Sequence, residues 1–198
     1  NVVRAYAIKD GVPGDIISWE YTCDYPPEVV TFEDPVIEMI VRATIDKLEG
    51  ALTDVDCEMV TDLSIYDIQD AYEMTYEESD NLRVDTLADL KLLPFVTSVT
   101  LDNQENITDW TPLNYTSVTN LNLYYCGLTN IDFIEEIPTL RNLYVDGNQI
   151  SDISVLKRLD YISSLAIGGN PIIDLTPIYE TRSITYLSLD GEQISDLD

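Results

Sequence analysis

A chain of 198 residues, 45% of them apolar, is long enough to bury a core of its own. Its 37 acidic side chains outnumber 10 basic ones and leave a formal net charge of −27. Such a surface repels the phosphates of nucleic acids and anionic lipid headgroups, so neither is an expected partner. No apolar run nears the ~20 residues that cross a bilayer as a helix, which argues against membrane insertion.

Residues 1–30 open with NVVRAYAIKDGVPGD, which lacks the charged, apolar and small-residue regions of a signal peptide. The protein is therefore either cytosolic or already stripped of a leader. Within this segment VVRAYAI and IISWEYT flank KDGVPGD, a pattern that predicts a hairpin. Residues 31–59 read as a helical cap. In DPVIEMIVRATIDKLE, residues 34–49, Asp34 can cap a helix, Pro35 suits the first helical position, and Ile37, Ile40, Val41, Thr44, Ile45 and Leu48 fall on one face. Gly50 stops that helix, and Thr53 begins a second, shorter one. Cys23 and Cys57 stand before and inside the cap; they form a disulfide if the protein is exported, or two buried free thiols if it is not.

From residue 60 to residue 198 the apolar positions return every 22 residues. Val99, Leu121, Leu143, Leu165 and Leu187 share one register; Leu101, Leu123, Val145, Ile167 and Leu189 share a second; Val96, Val118, Leu140, Ile162 and Ile184 share a third. The second half of each unit repeats as LTNIDFI, ISDISVL, IIDLTPI and ISDLD. An upstream copy, MVTDLSIYDI, sets Val60, Leu63 and Ile65 on the same pattern, but Val60 and Val96 lie 36 positions apart. The surplus falls in DAYEMTYEESDN and predicts an acidic loop near residues 69–85. It has no D-x-[DN]-x-[DN]-G run to arrange oxygens around calcium, and no metal site is expected.

The unit L-x-x-L-x-L-x-x-N-x-I resembles a leucine-rich repeat, and its 22-residue length with an I-S-D-I turn resembles the internalin-like class of bacterial surface proteins. The resemblance spans about residues 60–198, and the order of amphipathic helix, Gly, T-x-x-D and first repeat resembles the helical cap of that class. It implies an α/β fold: a curved solenoid of about six coils, with short parallel strands on the concave face and an α-helical cap at the N-terminus. In such repeats the ninth position points inward and satisfies buried backbone groups. Asn148 and Asn170 match that position, and Cys126 stands in the same column as a small buried residue. Gln104 and Glu192 depart from the pattern; Gln104 accompanies an extra residue in LDNQENI, and Glu192 is expected at an exposed edge. The strand around Leu187 and Leu189 is expected to be an open edge, since no helix follows it before Asp198.

The chain contains no histidine, which removes the commonest general base and the Ser-His and Cys-His nucleophile pairs. No P-loop, nucleophile elbow or dinucleotide fingerprint is present, so neither enzymatic activity nor a cofactor is expected. The positions beside each L-x-L project from the strands, and stacking lays them into one continuous surface. They read Asn120, Asn122 and Tyr124, then Asn142, Tyr144 and Asp146, then Tyr186, Ser188 and Asp190. Tyrosine offers contact area at small entropic cost and keeps a hydroxyl for a hydrogen bond. This composition, with the internalin resemblance, implies a binding module for a protein or glycan ligand, secreted or displayed at the cell surface. A structural spacer that presents another domain, and a cytoplasmic regulatory scaffold, are the alternatives.

Overall fold

The computed structural model describes residues 26–189 in full and, ahead of them, the backbone of four short strands. Of these four, β1 (Val2–Ala5) pairs antiparallel with β4 (Ile17–Glu20), and β2 (Ile8–Lys9) pairs antiparallel with β3 (Val12–Pro13). Cys23, Asp190 and Glu192 lie outside the described residues.

The repeat register becomes a six-stranded parallel sheet. Its strands are β5 (Asp62–Ser64), β6 (Ser98–Thr100), β7 (Asn120–Asn122), β8 (Asn142–Tyr144), β9 (Ser164–Ala166) and β10 (Tyr186–Ser188), side by side in chain order. Val99, Leu121, Leu143 and Leu165 pair across neighbouring strands and are fully buried, as are Leu101, Leu123, Val145 and Ile167. The central residue of each strand and the residue after the strand point into the core. Those between them point out, as the two-residue pleat requires. At the β10 edge Leu187 is 39% exposed.

Each coil returns through a 3₁₀ turn, at Ala88–Leu92, Thr111–Tyr115, Asp132–Glu136 and Ser154–Arg158, or through the short helix α5 (Thr176–Glu180). The polar residue two places before a turn's first residue fixes its start. Asp109 accepts from the Thr111 amide, Asn130 from Asp132, Asp152 from Ser154 and Asp174 from Thr176. Hydrogen bonds from the side chain and then the amide of Thr111 and of Thr176 hold the carboxyls of Asp109 and Asp174 below their ordinary values, and the amide and then the side chain of Ser154 do the same for Asp152. Part of the chain's acidity is thus committed to turn geometry.

The cap helix α1 (Pro35–Thr44) starts as the sequence predicts, with Asp34 accepting from the amides of Val36 and Ile37. It ends five residues before the expected residue 49. Ile45 forms the C-cap, Asp46 takes a positive φ of 53°, and Leu48 is exposed instead of sharing the buried face. The reversal is held by Arg42, which donates to the carbonyls of Lys47 and Gly50. The second helix, α2 (Asp54–Glu58), carries a capping box between Thr53 and Asp56. The stretch expected as an acidic loop instead carries two short helices, α3 (Asp67–Ala71), which begins just ahead of it, and α4 (Tyr76–Asp80), opened by a Thr75–Glu78 capping box.

Two buried carboxylates clasp the cap to the first coil. Asp34 uses its second oxygen to accept from the amides of Asp85 at 2.7 Å and Thr86 at 3.0 Å, while Asp89 accepts from Glu33 and Asp34. Both are essentially inaccessible, at 1% and 0% exposure, and neither takes part in an ion pair among the described residues. Backbone N–H groups, rather than a cation, compensate their burial.

Candidate functional site

The concave face consists of three outward columns that run across the strands. The first passes through Asp62, Ser98, Asn120, Asn142, Ser164 and Tyr186; the second through Ser64, Thr100, Asn122, Tyr144, Ala166 and Ser188. The third lies just past the strands and holds Tyr66, Asp102, Tyr124, Asp146 and Gly168. No lysine or arginine occupies these positions among the described residues.

Within this face the polar residues first bind one another. Asn142 donates to the side chain of Asn120, Asn122 donates to Thr100, and Ser163 donates to Asn142. Asp146, expected to project towards a ligand, turns one oxygen onto the Gly168 amide at 3.0 Å. Asp102 accepts in the same way from the Tyr124 amide and takes a second bond from the Tyr66 hydroxyl. The rings of Tyr124 and Tyr144 are half-buried and that of Tyr186 is exposed. Burial raises the Tyr124 phenol above its ordinary value, and the nearby Asp146, Asp102, Tyr144 and Tyr186 add to the effect. Tyr124 and Tyr144 stand on adjacent coils, and Tyr186 stands two coils beyond Tyr144, with Ala166 and Gly168 on the intervening coil.

Tyr66 is a face residue that the sequence reading missed, although it occupies the third column of the upstream repeat. Its hydrogen bond to Asp102, then burial and the Asp102 charge, push its phenol up to about 12. The folded value lies above the ordinary value of 10.0. The stabilisation is therefore present below about pH 10 and lost as pH rises through about 12. A difference absorbance titration of the native chain against Tyr66→Phe should isolate a phenol with a midpoint near 12; a midpoint near 10 would show that the Asp102 bond does not persist in solution.

Behind the strands the ninth-position column supports the face. Asn148 donates to the carbonyls of Leu123 and Val145 and accepts from the amides of Cys126 and Leu128. Asn170 repeats this with Val145, Ile167 and the Ile150 amide. Gln104, a departure by residue type, does the same work: its amide donates to Asp102 and accepts from Val84, reaching further by one methylene. Cys126 places its sulfur 2.8 Å from the Leu101 carbonyl, and burial pushes its thiol up to about 12. Cys57 is likewise a buried free thiol, pushed up to about 11 chiefly by burial. These values make both thiols poor nucleophiles. Cys126→Asn should leave the thermal midpoint unchanged or raise it by a few degrees, since an amide offers both a stronger donor and an acceptor. A fall of more than ~4 °C would show that the column does not accept asparagine there.

On the wall that follows the strands, a groove of about 510 Å³ lies between the second and third coils. Trp110 and Phe133 stack beside it with ring centroids 5.9 Å apart. Among the described residues no group of three or more His, Cys, Asp or Glu could hold a metal ion, and no helix is long and apolar enough to cross a membrane.

Parallel short strands, 3₁₀ returns and a buried polar column define a leucine-rich-repeat solenoid. The sequence pattern of the family Leucine Rich repeats (2 copies) matches residues 116–158. A crystal structure of internalin C2 from Listeria monocytogenes is similar, with a TM-score of 0.62 and 25% identity over 84% of this chain and 78% of that one. So is that of an internalin, InlF, from the same organism, with a TM-score of 0.66 and 23% identity over 89% of this chain and 49% of that one. The chain thus spans about half the length of the second. No curated protein matches the sequence significantly. The chain is a leucine-rich-repeat solenoid whose fold resembles that of these internalins.

Proposed function

We propose that the chain is a non-catalytic binding module that engages a protein partner through its concave face. The observation that carries this reading is the placing of Tyr124 and Tyr144 on adjacent coils, with Tyr186 two coils further, on a face that holds no lysine or arginine among the described residues. Aromatic side chains near a patch centre dominate the energetics of protein interfaces. Asn120, Asn122, Asn142, Ser188 and Asp146 supply the polar surround. Among the described residues the face holds no lysine or arginine, and the chain carries −27, so the reading favours a basic partner whose association slows as salt rises.

A Tyr124→Ala, Tyr144→Ala double variant should melt normally and lose at least about a hundredfold in affinity for a partner captured from cell-surface extracts, because each ring contributes roughly 2 kcal/mol. Unchanged capture by that variant would sink the concave-face reading. The absence of any partner would favour a spacer that presents another domain.

We extend the reading to display at the bacterial cell surface, the setting that the internalin resemblance implies. Protease treatment of intact cells expressing the full gene should remove the module while a cytosolic marker survives. Survival of the module alongside the marker would leave the cytoplasmic scaffold as the better account.

A further inference from the structure

Where the first coil departs from the 22-residue repeat, α3 and α4 rise beside the concave face and enclose a small notch. Its cavity measures about 30 Å³ and is lined by Tyr66, Tyr76, Gln69, Ser79, Asp80 and Asp102, among others. The notch joins the tyrosine strip directly, since Asp102 bonds the Tyr66 hydroxyl with one oxygen and the Tyr124 amide with the other. Tyr66 and Tyr76 are exposed, as is Asp80, so the notch is reachable from solvent. Asp102 is 9% exposed and forms part of its wall.

We propose that this notch receives a lysine side chain of the partner bound on the concave face, with the ammonium group between the Asp80 and Asp102 carboxylates and beside the two tyrosine rings. Charge sets the sign of the occupant. Two carboxylates and two aromatic rings favour a cation, and no lysine or arginine is among the residues that line the space. The nearest cation in sequence, Arg83, is turned onto the carbonyls of Asp80 and Leu82.

Size then separates lysine from arginine. A space of about 30 Å³ accommodates a water-sized group. An ammonium is compact with three rotatable donors, whereas a guanidinium is a rigid planar fork that needs a wider slot. The donors also find partners. A carboxylate has about four acceptor sites, and Asp102 uses two of them within the fold. Gln69 and Ser79 are further polar side chains among the residues that line the space. Burial already raises the Asp102 carboxyl above its ordinary value, a desolvation cost that a bound ammonium offsets.

This inference deepens the concave-face reading and rests on it for its biological meaning, yet it can be tested without any partner. The intact chain is titrated with Nα-acetyl-lysine methylamide while its backbone amides are followed by NMR. The norleucine analogue, which keeps the aliphatic stem and lacks the ammonium, and the arginine analogue serve as controls. The lysine probe should shift the amides of Tyr66, Asp80, Asp102 and Asn103 in a saturable way, and the norleucine probe should not. Asp80→Asn changes only an exposed side chain and should weaken lysine binding by roughly fivefold, the effect of one close charge near a surface. Equal response to norleucine, equal response to arginine, unspecific shifts spread over the acidic surface, or unchanged affinity in Asp80→Asn would each overturn the assignment. Such a failure would leave the Tyr124 and Tyr144 experiment untouched, and a failure there would leave this titration readable.

Discussion

Asp89→Ala should lower the unfolding free energy by about 3–5 kcal/mol, read from the denaturant midpoint at unchanged slope. The carboxylate accepts from the Glu33 and Asp34 amides, and it does so at 0% exposure. Its removal leaves one buried and one part-buried N–H group without an acceptor, and each bond to a charged group contributes roughly 1.5–3 kcal/mol. It also loosens the start of α1, because Asp34 sits where its own amide is held by Asp89. Asp89→Asn keeps one acceptor oxygen and should lose less. With total stabilities of about 5–15 kcal/mol for ordinary domains, this single change removes a large fraction. A loss under ~1 kcal/mol would mean that the clasp does not hold the cap in solution.

The second large effect is expected at Asn148→Ala, at about 3–4 kcal/mol. The side chain fills both halves of its hydrogen-bonding capacity inside the core: two amides, at Cys126 and Leu128, and carbonyls at Leu123 and Val145, all within 3.0 Å. Alanine satisfies none of them and leaves a small void at a site 5% exposed. Two coils are affected together, since the contacts join residues 20 to 25 positions apart. Amide exchange should therefore quicken at Leu123, Cys126 and Leu128 as well as at Val145. Quickening confined to Val145 would show that the column does not link the coils.

The strand register was legible because burial recurs at a fixed interval, and a periodic signal survives substitutions such as Val99 or Ile167 for leucine. The asparagine column was legible for the same reason. Gln104 was not, since a longer side chain reaching the same backbone groups cannot be distinguished from a departure without coordinates. At α1, Asp34 and Pro35 announced the start, but the apolar spacing through Leu48 suggested a longer helix than the chain forms. Arg42 ends it by bonding carbonyls beyond it, a contact that no local pattern specifies. The helical nature of the acidic segment had a signal in T-Y-E-E, where Thr75 and Glu78 form a capping box. The second partner of Asp34 had none, because Asp85 lies 51 positions away and Asp89 resembles any other acid in a strongly acidic chain. On the concave face the pleat indicated which side chains project outward. It could not show that Asp146 turns back to the Gly168 amide or that Asn120 and Asn142 bind each other.

The first coil takes a 36-residue route where its neighbours take 22, yet β5 and β6 pair in the same register as every other adjacent pair. The second coil makes a smaller detour. Gln104 and Ile107 stand three apart, against two for Asn148 and Ile150, but Leu101 and Leu123 remain 22 apart. The rise from strand to strand is thus insulated from the path taken along the wall. Closing a longer excursion costs little entropy once its ends are fixed, because that cost grows only with the logarithm of length. The α3–α4 segment is consequently a place where natural variation, or a protein engineer, can exchange whole segments and redecorate one side of the molecule while every strand stays where it is.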